Sequence, residues 1–150
     1  MDEAIQRKIL ALLDGHRDMS LATIRPDGWP QATTVGYGND GLTLYFLCGR
    51  DSQKAANLAR DDRVSLTIDH DTPQVMDIEG LSMAGHARLV SDPAEAHKAL
   101  RLLMGKYPPQ TGASIPEPKA EDVRVFRVTP VVISVLDYTK GFGHADLVTC

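Results

Sequence analysis

Cysteine is scarce in this 150-residue sequence. Cys48 and Cys150 are its only two, and they lie far apart. That excludes a disulfide framework and a closely spaced zinc site, and it fits a reducing, cytoplasmic compartment. No apolar run approaches the ~20 residues of a membrane helix. The opening MDEAIQRKILALLDG is too charged for a secretory signal. Positive charge is not in excess either: 16 Lys and Arg against 20 Asp and Glu give a net charge of -4. A general nucleic-acid footprint is therefore not expected, and neither is a membrane partner. There is no GxxxxGK[ST] loop, no GxGxxG after a strand, no internal repeat and no distinctive Ser/His/Asp order. What is present is ordinary globular material, with 43% hydrophobic and 24% charged residues. The length favours one domain, 1–150, with a sizeable core.

The apolar pattern is mostly β. Residues 1–15 are the exception: Ile5, Ile9, Leu12 and Leu13 share one helical face, acidic residues sit in the first turn, and Gly15 ends it. Two turn signals, Asp27-Gly28 and Asn39-Asp40-Gly41, then join three β-rich runs into a meander. In the third run both Leu42-Leu44-Phe46-Cys48 and the alternate set are apolar, which predicts cover on both faces. A short helix after Ser52 carries small residues, Ala55, Leu58 and Ala59, toward a sheet. Val64, Leu66 and Ile68 alternate in the next strand. Residues 76–90 read as one long strand, bulged near Gly80 and Gly85. Ser91 or Asp92, Pro93 and Glu95 open a second amphipathic helix with a capping box. Its apolar face is Ala96, Ala99, Leu100 and Leu103. Residues 108–119 hold four of the nine prolines and read as a loop. A last strand over 123–139 carries Pro130, which predicts a bulge or edge. The tail, 139–150, has no periodicity. Six β-runs with short turns predict a mainly β (α+β) fold: a six-stranded antiparallel barrel with flanking helices.

The stretch GRDSQKAANLAR poses a chemical question. A helix N-terminus carries partial positive charge and unpaired N–H groups. Arg50 and Lys54 flank it, each opposing the dipole by about 0.3–1 kcal/mol. A bound phosphate would reverse that sign. Alternatively Asp51 caps the helix and the two cations are simply solvated. Other side chains also invite a role. His144, with Lys140 and Asp146, has the makings of an acid–base group. His86 sits in a strand and His16 at a helix end. His70 lies between Asp69 and Asp71, but adjacent strand-end side chains diverge, so no metal site is expected. Trp29 follows a turn. Cys48 near Arg50 is either a thiolate or a small buried side chain. The Asp61-Asp62-Arg63 run reads as a solvated turn.

The order and spacing of Gly28, Pro30, Leu44-Tyr45-Phe46, Ser52, Lys54, Asn57-Leu58, Asp62 and Arg63-Val64-Ser65-Leu66, followed by GHARLVSDPAEA, resemble the pyridoxamine 5'-phosphate oxidase-like, flavin-binding split β-barrel family. The resemblance covers roughly residues 5–136. It implies a homodimer with FMN in the cleft between protomers. Ser52 and Lys54 match phosphate-holding positions, with Gln53 between them and Arg50 as a helper. Thr33, Thr34 and Val35 match the segment along the isoalloxazine edge. Further contacts would come from the partner chain. The implied activity is FMN-dependent oxidoreduction of a small molecule. A flavin-binding stress or sensor protein, or a relative binding FAD, a deazaflavin or haem, is the alternative. The chain departs from the oxidase itself at Thr33 and Gly38, where that enzyme carries cations, and at Gln53, where it carries Arg. Its tail also lacks the oxidase's substrate-phosphate arginines.

Overall fold

The computed structural model describes residues 1–107 and 118–150. The loop expected over 108–119 lies, but for its last two residues, outside them. Helix α1 (Glu3–Gly15) is capped by Asp2, whose carboxylate accepts from the N–H groups of Ala4 and Ile5. Its stripe of Ile9, Leu12 and Leu13 is buried. Strands β1 (Asp18–Ile24) and β2 (Pro30–Gly36) form the first hairpin, and Gly28 adopts φ 85° in its turn. A further hairpin joins β3 (Gly38–Asp40) to β4 (Thr43–Gly49) through Gly41 at φ 57°. Helix α2 (Gln53–Arg60), β5 (Arg63–Asp69), β6 (Glu79–Leu89), α3 (Pro93–Lys106), β7 (Val123–Asp137) and β8 (Ala145–Thr149) follow.

The strands form one antiparallel sheet in the order β2-β1-β5-β6-β7-β4-β3, with β8 beside the second half of β7. Its two ends, β2 and β3, are separated in the chain by Tyr37 alone. The sheet must therefore curl until its ends meet, and it stays split where β2 packs on β4 without pairing. The expected six strands are thus corrected to eight. The second β-run divides at Tyr37, because its first half pairs with β1 and its second half with β4. The tail supplies β8, whose residues 145–149 pair with 132–136 of β7.

The curl encloses Leu21, Phe46, Leu66, Leu81, Met83 and Ile133, all buried. Each contributes about 1.5–3 kcal/mol relative to exposure. In β4 both faces are covered: Leu44 and Phe46 face this core, while Tyr45 joins Val90, Ala99 and Val125 under α3. Helix α3 comes so close to β3 that a Cβ on Gly38 would lie 2.8 Å from the backbone of Leu102. Asp92 rather than Ser91 caps α3. Glu95 closes no capping box, because it holds Arg127 and accepts from the Tyr45 hydroxyl at 3.0 Å instead. The single bulge of the β6–β7 pair lies between Ala84 and Gly85, opposite Pro130. A Cβ on Gly85 would meet the Thr129 carbonyl at 2.5 Å. Gly80 is in regular register; it is small because Ile68 O would lie 2.6 Å from a Cβ there.

Tyr37 is wholly buried, with its hydroxyl 2.6 Å from Leu13 O and 3.1 Å from His16 O. The Lys106 ammonium, from the last turn of α3, donates to the same two carbonyls and lies 4.6 Å from the Tyr37 ring centroid. The last turn of α1 is thereby satisfied by two distant side chains.

Candidate functional site

Strand β4 delivers the chain to α2 through Gly49-Arg50-Asp51-Ser52. Ser52 is the N-cap: its Oγ accepts from Ala55 N at 3.2 Å and donates to Gly49 O at 2.7 Å. Asp51 does not cap the helix, and the first turn contains no acid. The positive end of α2 is thus uncompensated by its own sequence. Arg50 is tied to the approach to β7, with its N–H on Asp122 O at 2.9 Å and its guanidinium 3.4 Å from Glu121 O.

Lys54 is half-buried and, among the described residues, forms no ion pair. Burial lowers its pKa, opposed by the neighbouring Cys48. Burial also raises the Cys48 pKa, against the pull of Ser52, Lys54 and Arg124. Cys48 therefore behaves as a small buried thiol rather than a thiolate. Gln53 donates to Asn57 Oδ1 at 2.8 Å. Asn57 is completely buried and passes two hydrogen bonds on, to Thr23 Oγ1 at 3.0 Å and Gln31 Oε1 at 3.2 Å. This amide, which sequence reasoning valued only as part of a motif, locks α2 to β1 and β2. A polar side chain amid the alanines of a short packed helix was the available signal.

The structure divides the candidate residues. Arg50 and Ser52 line an open groove of about 640 Å³ with Ala55, Ala59, Arg88 and Arg124. Gln53 and Asn57 lie toward β1 and β2 instead, through Thr23 and Gln31, while Lys54 does not line that groove and neighbours Cys48 of β4. In β2, Thr33 and Val35 point inward and Thr34 outward. Val35 packs on the core, and Thr33 Oγ1 is buried with no partner among the described residues. Among the described residues strand β2 pairs along one edge only, which leaves alternate N–H and C=O groups of the other edge facing the split.

The remaining candidates resolve mostly into local pairs. In the tail, Asp146 takes both His144, at 3.3 Å, and Lys140, at 3.7 Å. His16 caps the end of α1 through Leu12 O at 2.7 Å and meets His70 at 3.1 Å between ring nitrogens. Among the described residues no cluster of three or more metal-ligating side chains occurs. Trp29 is 70% exposed. Asp61 pairs with Arg63 through both carboxylate oxygens. Asp62, expected to be solvated, instead holds His86 and Arg88. No helix among the described residues is long and apolar enough to cross a membrane.

Comparison with known proteins gives a consistent result. Residues 5–137 match the family model described as pyridoxamine 5'-phosphate oxidase. The chain is 26% identical over 138 residues to general stress protein 26 of Bacillus subtilis, covering 87% of this chain and 96% of that one. The crystal structure of the conserved hypothetical protein Rv2991 from Mycobacterium tuberculosis is similar at a TM-score of 0.75 and 28% identity, over 97% of this chain and 91% of that one. A solved F420 reductase is similar at a TM-score of 0.64 and 28% identity, over 83% and 94%.

Proposed function

The chain belongs to the pyridoxamine 5'-phosphate oxidase family, and on that premise we propose that it binds FMN at the split between β2 and the β4–α2 corner and serves as an oxidoreductase for a small molecule. The observation that carries this reading is Lys54: a half-buried cation without a carboxylate partner among the described residues, in a first helical turn that contains no acid. A dianionic phosphate offsets both costs at once. Lys54, the N–H groups opening α2, the Ser52 hydroxyl at their head and the Gln53 amide would hold the phosphate. Arg50 would add long-range attraction from the preceding loop. The open edge of β2 at Thr33, Thr34 and Val35 would lie along the ring, with the orphaned Thr33 hydroxyl as a further donor. When bound, the flavin supplies hydride acceptance and donation. The protein's part is to position the ring and the small molecule and to limit water between them.

A second copy of the chain fits the same reading. On the outer face of the sheet, small side chains stand in register across the strands. One row runs Ala32, Ala22, Ser65 and Ala84; another runs Thr34, Ser20, Thr67, Ser82 and Ser134. Such a face lets another backbone approach closely, and a homodimer built on it would add partner residues to the cleft.

The test is a titration of purified protein with FMN, followed by absorbance and flavin fluorescence, with mass measurement of any cofactor already bound. Losing one charge-assisted hydrogen bond costs about 1.5–3 kcal/mol. Lys54→Ala should therefore weaken binding about 10- to 100-fold. Unchanged affinity would remove the phosphate assignment. A deazaflavin is the second reading, favoured by the similarity to the F420 reductase. Saturable binding of F420 with no response to FMN would select it.

A further inference from the structure

The open groove beside α2 combines an apolar bed with guanidinium groups. Leu89 of β6 and Phe126 of β7 stand opposite each other in register, and Ala55, Ala59 and Ala87 line the groove with them. Phe126 is 4% exposed and stacks on Phe46, with ring centroids 5.4 Å apart, so the bed is firm. Ala87 and Phe126 belong to the enclosed core. The groove therefore opens at the mouth of the curl, on the inner side of the sheet, and not on the outer face with its rows of small residues. The charged groups on its rim differ in what they hold. Arg88 is matched by Asp62. Arg50 is turned toward Glu121 O. Asp51 is exposed and pairs with no cation among the described residues. Arg124, half-buried beside Cys48 in the β4–β7 pair, forms no ion pair and donates no side-chain hydrogen bond among the described residues. A guanidinium in that position has given up hydration without gaining an anion.

From this geometry we infer that the groove binds a small carboxylic acid, its carboxylate on Arg124 and its apolar body over Phe126, Leu89 and the alanines of α2. The planar guanidinium fork matches the two oxygens of a carboxylate. One unmatched guanidinium calls for one negative charge, whereas a dianionic phosphate would leave a charge uncompensated. The apolar walls favour a body of one or two rings, or an alkyl chain of similar size, and a volume of about 640 Å³ accommodates it. The site contains neither Lys54 nor the β2 segment 33–35, so it does not rest on the cofactor reading.

The probe is 2-naphthoate, titrated calorimetrically near neutral pH into the full chain, first alone and then in excess FMN. Its neutral counterpart, 2-naphthamide, keeps the rings and removes the charge. Wild-type protein should bind naphthoate saturably, about 10-fold or more tighter than the amide, with FMN present or absent. Arg124→Gln should weaken naphthoate binding about 10- to 100-fold, the loss of one charge-assisted pair, and leave the amide unchanged. Ala59→Leu, at an exposed position on the groove wall, should weaken both probes. Lys54→Ala should weaken neither. No saturable binding to wild type, equal affinity for acid and amide, unchanged naphthoate affinity in Arg124→Gln, or undiminished binding to Ala59→Leu would each overturn the inference. So would displacement of naphthoate by FMN or its loss in Lys54→Ala, which would put the carboxylate at the phosphate corner. FMN affinity should be the same in Ala59→Leu as in wild type, so failure here and failure of the cofactor reading are read separately.

Discussion

Replacing Asn57 with alanine removes the one side chain that bonds α2 to both strands of the first hairpin. The native amide is completely buried, accepts from Gln53, and donates to Thr23 and Gln31. Thr23 is itself 2% exposed, so water does not readily replace the lost donor. A typical buried hydrogen bond contributes about 1 kcal/mol net, and stranding a buried polar group costs about 1–3 kcal/mol. The Gln53 and Gln31 ends are nearer solvent and recover part of their loss. The sum is a destabilisation of about 2–4 kcal/mol, a sizeable part of the 5–15 kcal/mol typical of a domain. Urea denaturation measures it as a lower midpoint at unchanged slope. A double-mutant cycle with Thr23→Val isolates the shared bond, with an expected coupling of about 1 kcal/mol. FMN affinity should fall as well, since the α2 corner would no longer be fixed against β2. A destabilisation under ~0.5 kcal/mol, within the range of ordinary surface changes, would refute the view that Asn57 locks the corner.

Two other expectations concern the fold. The Asp137 carboxyl is lowered to about 2 by the Lys8 ammonium and then by Thr139. Its folded pKa is below the unfolded value of about 3.9, so its stabilisation is complete above that value and is lost as pH falls from there toward 2. Asp137→Asn should flatten the acid limb of a thermal-melting series, and an unchanged limb would contradict the assignment. Gly85→Ala would place a Cβ 2.5 Å from the Thr129 carbonyl at the bulge. Melting should show a loss of about 1–3 kcal/mol or more, whereas a neutral result would mean that the bulge yields.

Local chemistry was legible in the sequence. The cap of α3 (as one of two candidates), the turns at Gly28 and Gly41, and the bulge at Gly85 opposite Pro130 all follow from steric or hydrogen-bonding rules that act within a few residues, whereas Asp2, a first-turn charge by its sequence pattern, proves to be the cap of α1. Strand number was not legible. The division at Tyr37 appears only when Leu13, His16 and Lys106 are brought around one phenol, and β8 exists because β7 outruns its β4 partner and leaves an edge to cover. Glu95 left its local cap for a partner 32 positions away, since Arg127 offers a full charge. Similarly, Asp62 looked like part of a solvated run until β6 placed His86 and Arg88 beside it. At the candidate site, residue types pointed to the corner, but only the helix's orientation separates Lys54 from Arg50.

Tyr37 also bears on the width of the split. Because a single residue spans the two margins of the curled sheet, the gap beside β2 narrows to one backbone position at that end. The phenol is clamped by the ends of α1 and α3, so the resting aperture is set from outside the sheet. Two helices remote from the gap act as its calipers.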